Sequence, residues 1–224
     1  MTWKEVFTSS VGKKLVMSFT GIFLILFLVV HVSLNACIWA GDGGEMFEKA
    51  AHFMGANIVP RILEVGLFVG LILHIVQGLM LELSNRNKRN VKYAIDYGNK
   101  GSKWYSRSMG LLGTLILIFL ILHLSHFWFP NRTAKGLTLN DGVEHMFEQM
   151  KLVFSELWVV IFYTLGCLSL GYHLAHGFQS AFRTIGVHNK RYNTMLSCFG
   201  YGFTIVVSLA FILMPWSFFL GWVK

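Results

Sequence analysis

Met109-Gly-Leu-Leu-Gly-Thr-Leu-Ile-Leu-Ile-Phe-Leu-Ile-Leu-His123-Leu-Ser-His126-Phe-Trp-Phe129 contains no Asp, Glu, Lys or Arg. About 20 consecutive apolar residues are enough for a helix to cross roughly 30 Å of hydrocarbon. The run shows no period-2 alternation, and an open strand edge cannot face lipid, so it reads as a membrane-crossing helix. Four further apolar runs, at about 15–40, 62–83, 152–182 and 195–222, read the same way. The first is too long and continuous for a signal-peptide core and has no obvious cleavage site, so it is expected to be an uncut anchor.

Composition agrees. Of 224 residues 54% are hydrophobic and 13% charged, against about 25% charged in a soluble chain. The expected fold is all-α, one integral membrane bundle of five transmembrane helices over residues 1–224. Cys37, Cys167 and Cys198 form no C-x-x-C, so a disulfide framework and c-type haem attachment are excluded. No P-loop, G-x-S-x-G or H-E-x-x-H is present, which leaves soluble-type catalysis without a motif.

Orientation follows from basic residues in the short loops. Lys4, Lys13, Lys14, Arg86, Lys88, Arg89, Lys92, Lys100, Lys103, Arg107, Arg183, Lys190 and Arg191 fall on one side. Lys49, Arg61, Arg132, Lys135, Lys151 and Lys224 fall on the other. The thirteen-to-six bias predicts a cytoplasmic N-terminus and an external C-terminus. Trp39, Trp128, Trp158, Trp216 and Trp222 near the outer span ends, with Trp3 and Trp104 near the inner ones, read as interfacial belts. The net charge of +8 is then a topology signal and a contact with anionic lipid. No soluble basic domain is present to bind nucleic acid.

Ionisable groups inside a bilayer are functional-site hypotheses. His31, His74, His123, His126, His173 and His176 all lie within the first four spans. Measured from the cytoplasmic boundary charges, His31 and His123 lie roughly 25 Å and 24 Å deep, and His74 and His173 roughly 16 Å and 15 Å. The histidines thus form two pairs at matched heights, as two stacked bis-histidine haems would require. His123-Leu-Ser-His126 and His173-Leu-Ala-His176 each put two imidazoles on one helix face. A di-metal site built from them is the rival reading, opposed by their roughly 9 Å difference in depth. Hydrogen bonding, or lining a quinone or haem edge, is the other role open to His126 and His176.

Gly21 and Gly113 each precede an outer histidine by ten residues, and Gly78 and Gly177 each follow an inner one by four. Such a layer suits either a flat macrocycle or ordinary small-residue helix packing. The matched offsets suggest a quasi-repeat of one ligand hairpin.

The chain resembles the di-haem cytochrome b membrane anchor of succinate dehydrogenase and fumarate reductase, in its single-chain, five-helix form. The resemblance is carried by Ser18-Phe-Thr-Gly21, Ala51-His-Phe-Met54, Leu73-His-Ile-Val-Gln-Gly78, Leu117-Ile-Phe-Leu-Ile-Leu-His123 and His173-Leu-Ala-His-Gly177. It implies two haem b groups, the outer held by His31 with His123 and the inner by His74 with His173. It places Ser18, and by topology Arg183, near the inner haem propionates. It implies a cytoplasmic iron–sulfur subunit carrying a flavoprotein subunit, and electron exchange with a quinone, menaquinone for this class. The bacterial cytoplasmic membrane is the expected location, and the whole complex is expected to be able to dimerise. Some fumarate reductases of the family carry a Glu two residues before the fourth ligand; Gly171 stands there instead, which favours succinate oxidation.

For the quinone site the expected residues are Glu64 and His52 at the outer end of the second span, where protons are needed; interfacial snorkelling is the alternative for Glu64. Glu156 shares this ambiguity, and Glu82 is expected to be interfacial. The basic 84–107 segment faces the side expected for the soluble subunits, although lipid contact explains it equally. Other function classes left open are a hydrogenase or formate dehydrogenase cytochrome b anchor and a transporter using its histidines as a proton relay.

Overall fold

The computed structural model describes residues 9–87, 103–133, 145–187 and 189–223. Trp3, Lys4, Lys135, Lys224 and most of the basic 84–107 segment (88–102) lie outside the described residues. Every regular element among those described is helical: α1 Ser10–Ala36, α2 Glu45–Ala56, α3 Ile58–Asn87, α4 Trp104–Arg107, α5 Met109–His123, α6 Phe129–Thr133, α7 Met146–Phe154, α8 Leu157–Thr184 and α9 Lys190–Phe219. Five stretches are long and apolar enough to span a bilayer: Ser10–Ala40, Ile58–Asn87, Met109–Arg132, Leu157–Thr184 and Tyr192–Phe219. The five expected helices are all present in a multi-pass membrane fold.

Their ends differ from the apolar runs for physical reasons. Ser9 caps α1 by accepting the Gly12 N–H at 3.0 Å, so Lys13 and Lys14 belong to its first turns. Backbone hydrogen bonding carries a helix into the headgroup region, where its charged turns are solvated. The run at 152–182 proves to be two elements. Glu156 is extended (φ −93°, ψ 115°) and its carbonyl accepts the Val159 N–H, so α7 ends and α8 starts afresh. Leu152, Val153 and Phe154 belong to α7, because hydropathy does not register a turn between two apolar segments.

α8 is the central helix. It packs against α1, α5 and α9, and it buries Val159, Val160, Tyr163, Cys167, Leu174 and Phe178. It meets α5 tightly at Gly166, where an added Cβ would lie 2.4 Å from Cδ2 and 3.1 Å from Cβ of Phe119. The outward faces of the spans remain apolar and uncovered, as at Val65 and Val206, which suits lipid contact.

One end of the bundle is covered by α2 and α7. Asp42 accepts the Gly44 and Met46 N–H groups and starts α2. Glu48 on α2 accepts the Phe147 N–H at 2.6 Å and starts α7. Gly44, at φ +93°, has the Phe147 ring where a Cβ would be, so the two short helices dock through a position only glycine can fill. Beneath them Ile38, Phe47, Phe147, Phe154, Met214 and Phe218 form a core. Trp39 Nε1 donates to Ser217 Oγ at 3.1 Å, tying the end of the first span to the end of the last.

Gly166→Ala is expected to destabilise the bundle by about 1–3 kcal/mol, because the Phe119 ring has its own Cβ in the way. Gly202→Ala, which meets open space, is expected to be neutral or slightly stabilising. Thermal unfolding in detergent compares the two.

Candidate functional site: two tiers of paired histidines

The structure brings together the histidines that depth had matched. His31 on α1 and His123 at the end of α5 have ring centroids 5.8 Å apart at 89°. His74 on α3 and His173 on α8 have centroids 6.2 Å apart at 66°. With metal–nitrogen bonds of about 2 Å and about 1.1 Å from nitrogen to ring centroid, two imidazoles trans to one metal stand about 6 Å apart. The residues present therefore fit two bis-histidine haems, one per tier.

The tiers sit at distinct heights. A Cβ on Gly21 would lie 3.6 Å from His74 Cε1, and one on Gly113 would lie 4.0 Å from His173 Cε1. Each glycine is ten residues before the outer histidine of its own helix, about 15 Å of helix axis. Gly21 and Gly113 thus lie beside the inner imidazoles, whereas Gly78 meets Met17 and Gly177 meets open space. A further correspondence joins α1 and α5. Phe27 stacks on His31 (5.2 Å, 20°) and Phe119 on His123 (5.6 Å, 25°), each phenylalanine one turn before its histidine.

Burial makes polar partners decisive. His123 Nδ1 and His173 Nδ1 are buried with no hydrogen-bond partner. His74 Nδ1 lies 3.1 Å from Thr20 Oγ1. The Asn35 amide donates to the His31 carbonyl at 2.8 Å and reaches His31 Nδ1 only at 3.4 Å.

His126 meets the same Tyr163 ring that His123 touches at 6.0 Å. The winding changes to a π-helical turn at Leu124–Trp128, directly after His123, and His126 sits within it. Pro130 explains the turn: it has no N–H for the His126 carbonyl four residues back. That carbonyl accepts instead from Gln149 Nε2 at 3.1 Å. The His126 ring stacks on Tyr163 (5.9 Å, 5°), with Nδ1 3.1 Å from its hydroxyl. Among the described residues no group of three or more His, Cys, Asp or Glu has the placement of a metal site, which leaves the di-metal reading without a cluster.

The remaining expected residues are scattered. Ser18 is buried and donates to the Ala181 carbonyl at 2.7 Å, joining α1 to α8. Arg183 lines a cleft of about 410 Å³ with Lys14, His176, Gln179 and Ser180, at the end opposite α2 and α7. Glu64 accepts from Trp128 Nε1 at 2.6 Å and pairs with Arg132 at 2.6 Å and Arg61 at 3.5 Å, a tighter setting than snorkelling. His52 is exposed on α2 and lines a second cleft, of about 520 Å³, with Glu48, Lys49 and His145. Glu48 keeps one buried carboxylate oxygen unpartnered.

Thr20, Tyr163, Glu48 and the two stacking phenylalanines were not singled out from sequence. Only the 92-residue offset shared by Phe27/Phe119 and His31/His123 could have revealed any of them.

A five-span bundle with two tiers of facing imidazoles has the framework of a membrane-embedded cytochrome b. The chain is 30% identical over 168 residues to the succinate dehydrogenase cytochrome b558 subunit of Bacillus subtilis (strain 168), covering 72% of this chain and 73% of that protein. It belongs to that family of succinate dehydrogenase cytochrome b membrane subunits. No family model and no solved structure matches it.

Glu64→Gln is expected to cost about 1–3 kcal/mol, because Arg132 and Arg61, each largely buried, lose their counter-charge. Melting of the detergent-solubilised protein reads this. An Arg132→Gln/Glu64→Gln double variant is expected to lose less than the sum of the single changes.

Proposed function

We propose that the chain anchors a succinate:quinone oxidoreductase in the bacterial cytoplasmic membrane and conducts electrons between an iron–sulfur subunit and a quinone. The observation that carries this reading is the pair of histidine contacts, 5.8 Å and 6.2 Å between ring centroids, on a bundle of this family. Haem b, when bound, supplies one-electron redox chemistry; succinate itself reacts in a separate flavoprotein subunit.

The chain's own residues hold and insulate. His31 with His123, and His74 with His173, would hold one haem b per pair through their imidazole nitrogens. Phe27 and Phe119 pack on the outer imidazoles and fix their rotation. Arg183 and Lys14, which share a cleft with no carboxylate in its lining, offer positive charge to the inner propionates. The charge bias supports an N-terminus on the cytoplasmic side, so the inner tier faces the iron–sulfur subunit.

Quinone exchange is assigned to the end covered by α2 and α7. The cleft at His52 carries groups able to exchange protons there, His145 and Glu48 beside it. Glu64, held by two arginines and Trp128, maintains the helix ends around that region. Menaquinone is the quinone proposed.

A pyridine haemochrome assay on the purified protein is expected to give two b-type haems per chain, and one or none would contradict the reading. His74→Ala and His173→Ala are each expected to remove the same single haem and uncouple succinate oxidation from quinone. Retention of both haems with full quinone activity in both variants would overturn the pairing.

A further inference from the structure

We propose that Thr20 is a positioning residue for His74, holding its imidazole in the tautomer that carries hydrogen on Nδ1 and leaves the Nε2 lone pair free for iron. The inference rests on the haem reading above and goes beyond it to a residue outside the four ligands.

A threonine hydroxyl has one proton to give. Thr20 Oγ1 lies 2.7 Å from the Val16 carbonyl of its own helix, and 3.3 Å from that of Met17. A carbonyl can only accept, so the proton points along the shorter contact, to Val16. Toward His74 Nδ1, at 3.1 Å, the same oxygen has only lone pairs left. The hydrogen between them therefore belongs to the imidazole. Neutral imidazole carries one N–H, so Nε2 is bare. That is the nitrogen a metal takes, and an acceptor behind the other nitrogen both fixes the ring and raises its basicity.

The arrangement is specific to this ligand. The 92-residue offset that relates Gly21 to Gly113 and His31 to His123 relates Thr20 to Leu112. Leu112 is buried and has no acceptor to offer. His173, which faces Gly113 as His74 faces Gly21, accordingly has a buried Nδ1 with no partner. In the outer tier Asn35 presents an amide N–H to its own helix carbonyl, and His123 Nδ1 is again without a partner. Among the four paired histidines, His74 is the one given a well-placed hydrogen-bond acceptor by a neighbouring helix.

Thr20→Val keeps the shape and removes the acceptor, whereas Thr20→Ser keeps the hydroxyl and removes the methyl. A more basic axial nitrogen favours ferric iron, so a redox titration of the purified complex separates the two variants. Thr20→Val is expected to raise the midpoint potential of one haem, the one lost in His74→Ala, or to release that haem alone. Thr20→Ser is expected to behave as wild type. Unchanged potentials and haem content in Thr20→Val would overturn the proposal, as would an equal shift in Thr20→Ser, which would assign the effect to packing. A wild-type chain without haem would defeat the haem reading and leave this assignment to be read directly. Nitrogen-15 NMR of the membrane-embedded, histidine-labelled chain is then expected to show His74 protonated at Nδ1 in wild type and Thr20→Ser only, and protonation at Nε2 in the wild type would overturn the proposal.

Discussion

The contact between imidazoles of different helices is the constraint on which the rest of the bundle is organised. A helix pair in lipid gains nothing from hiding leucine from leucine, because the solvent is already apolar. What fixes the height and rotation of these spans is close packing at small residues together with polar groups that must meet something. Gly21 and Gly113 admit backbone next to the inner imidazoles, and Gly166 admits the Phe119 ring that stacks on His123. Rotating any of the first four spans would swing a histidine toward hydrocarbon, where an ionisable group is costly.

The α1 and α5 sides of the bundle are related but not identical. Glycine, phenylalanine and histidine recur at the same offset on α1 and α5, so the framework around the rings is repeated. Their polar partners do not recur. Thr20 and Asn35 on α1 correspond to Leu112 on α5 and to Phe127 in the π turn that follows it. A repeated scaffold with unequal hydrogen bonding gives the facing imidazoles of a tier different environments. The fifth span contributes no histidine. It lies along the central α8 and supplies Phe211 against His31 and Ser217 to Trp39.

Much of this was legible in the residues because one-dimensional length and three-dimensional depth are nearly the same quantity for a membrane helix. Counting from boundary charges to His31, His74, His123 and His173 was enough to pair them. It failed where the chain stops being a uniform helix. The turn at Ser155–Glu156 and the π turn after His123 leave no mark on hydropathy, so the fourth span was drawn too long and the change of winding at His126 went unread. The amphipathic α2 and α7 went unread because each depends on a contact with the other, through Glu48 and the Phe147 N–H. Ser18 was singled out by the family resemblance and Glu64 by its place at the end of a span. Their partners, the Ala181 carbonyl and the Arg132 guanidinium, are more than 60 residues distant and no local pattern announces them.

Crystals of the purified complex, measured at the iron absorption edge, address the pairing most directly. An anomalous map is predicted to place one iron between the rings of His31 and His123 and a second between those of His74 and His173. A single iron, or an iron joining histidines of different tiers, would contradict the account.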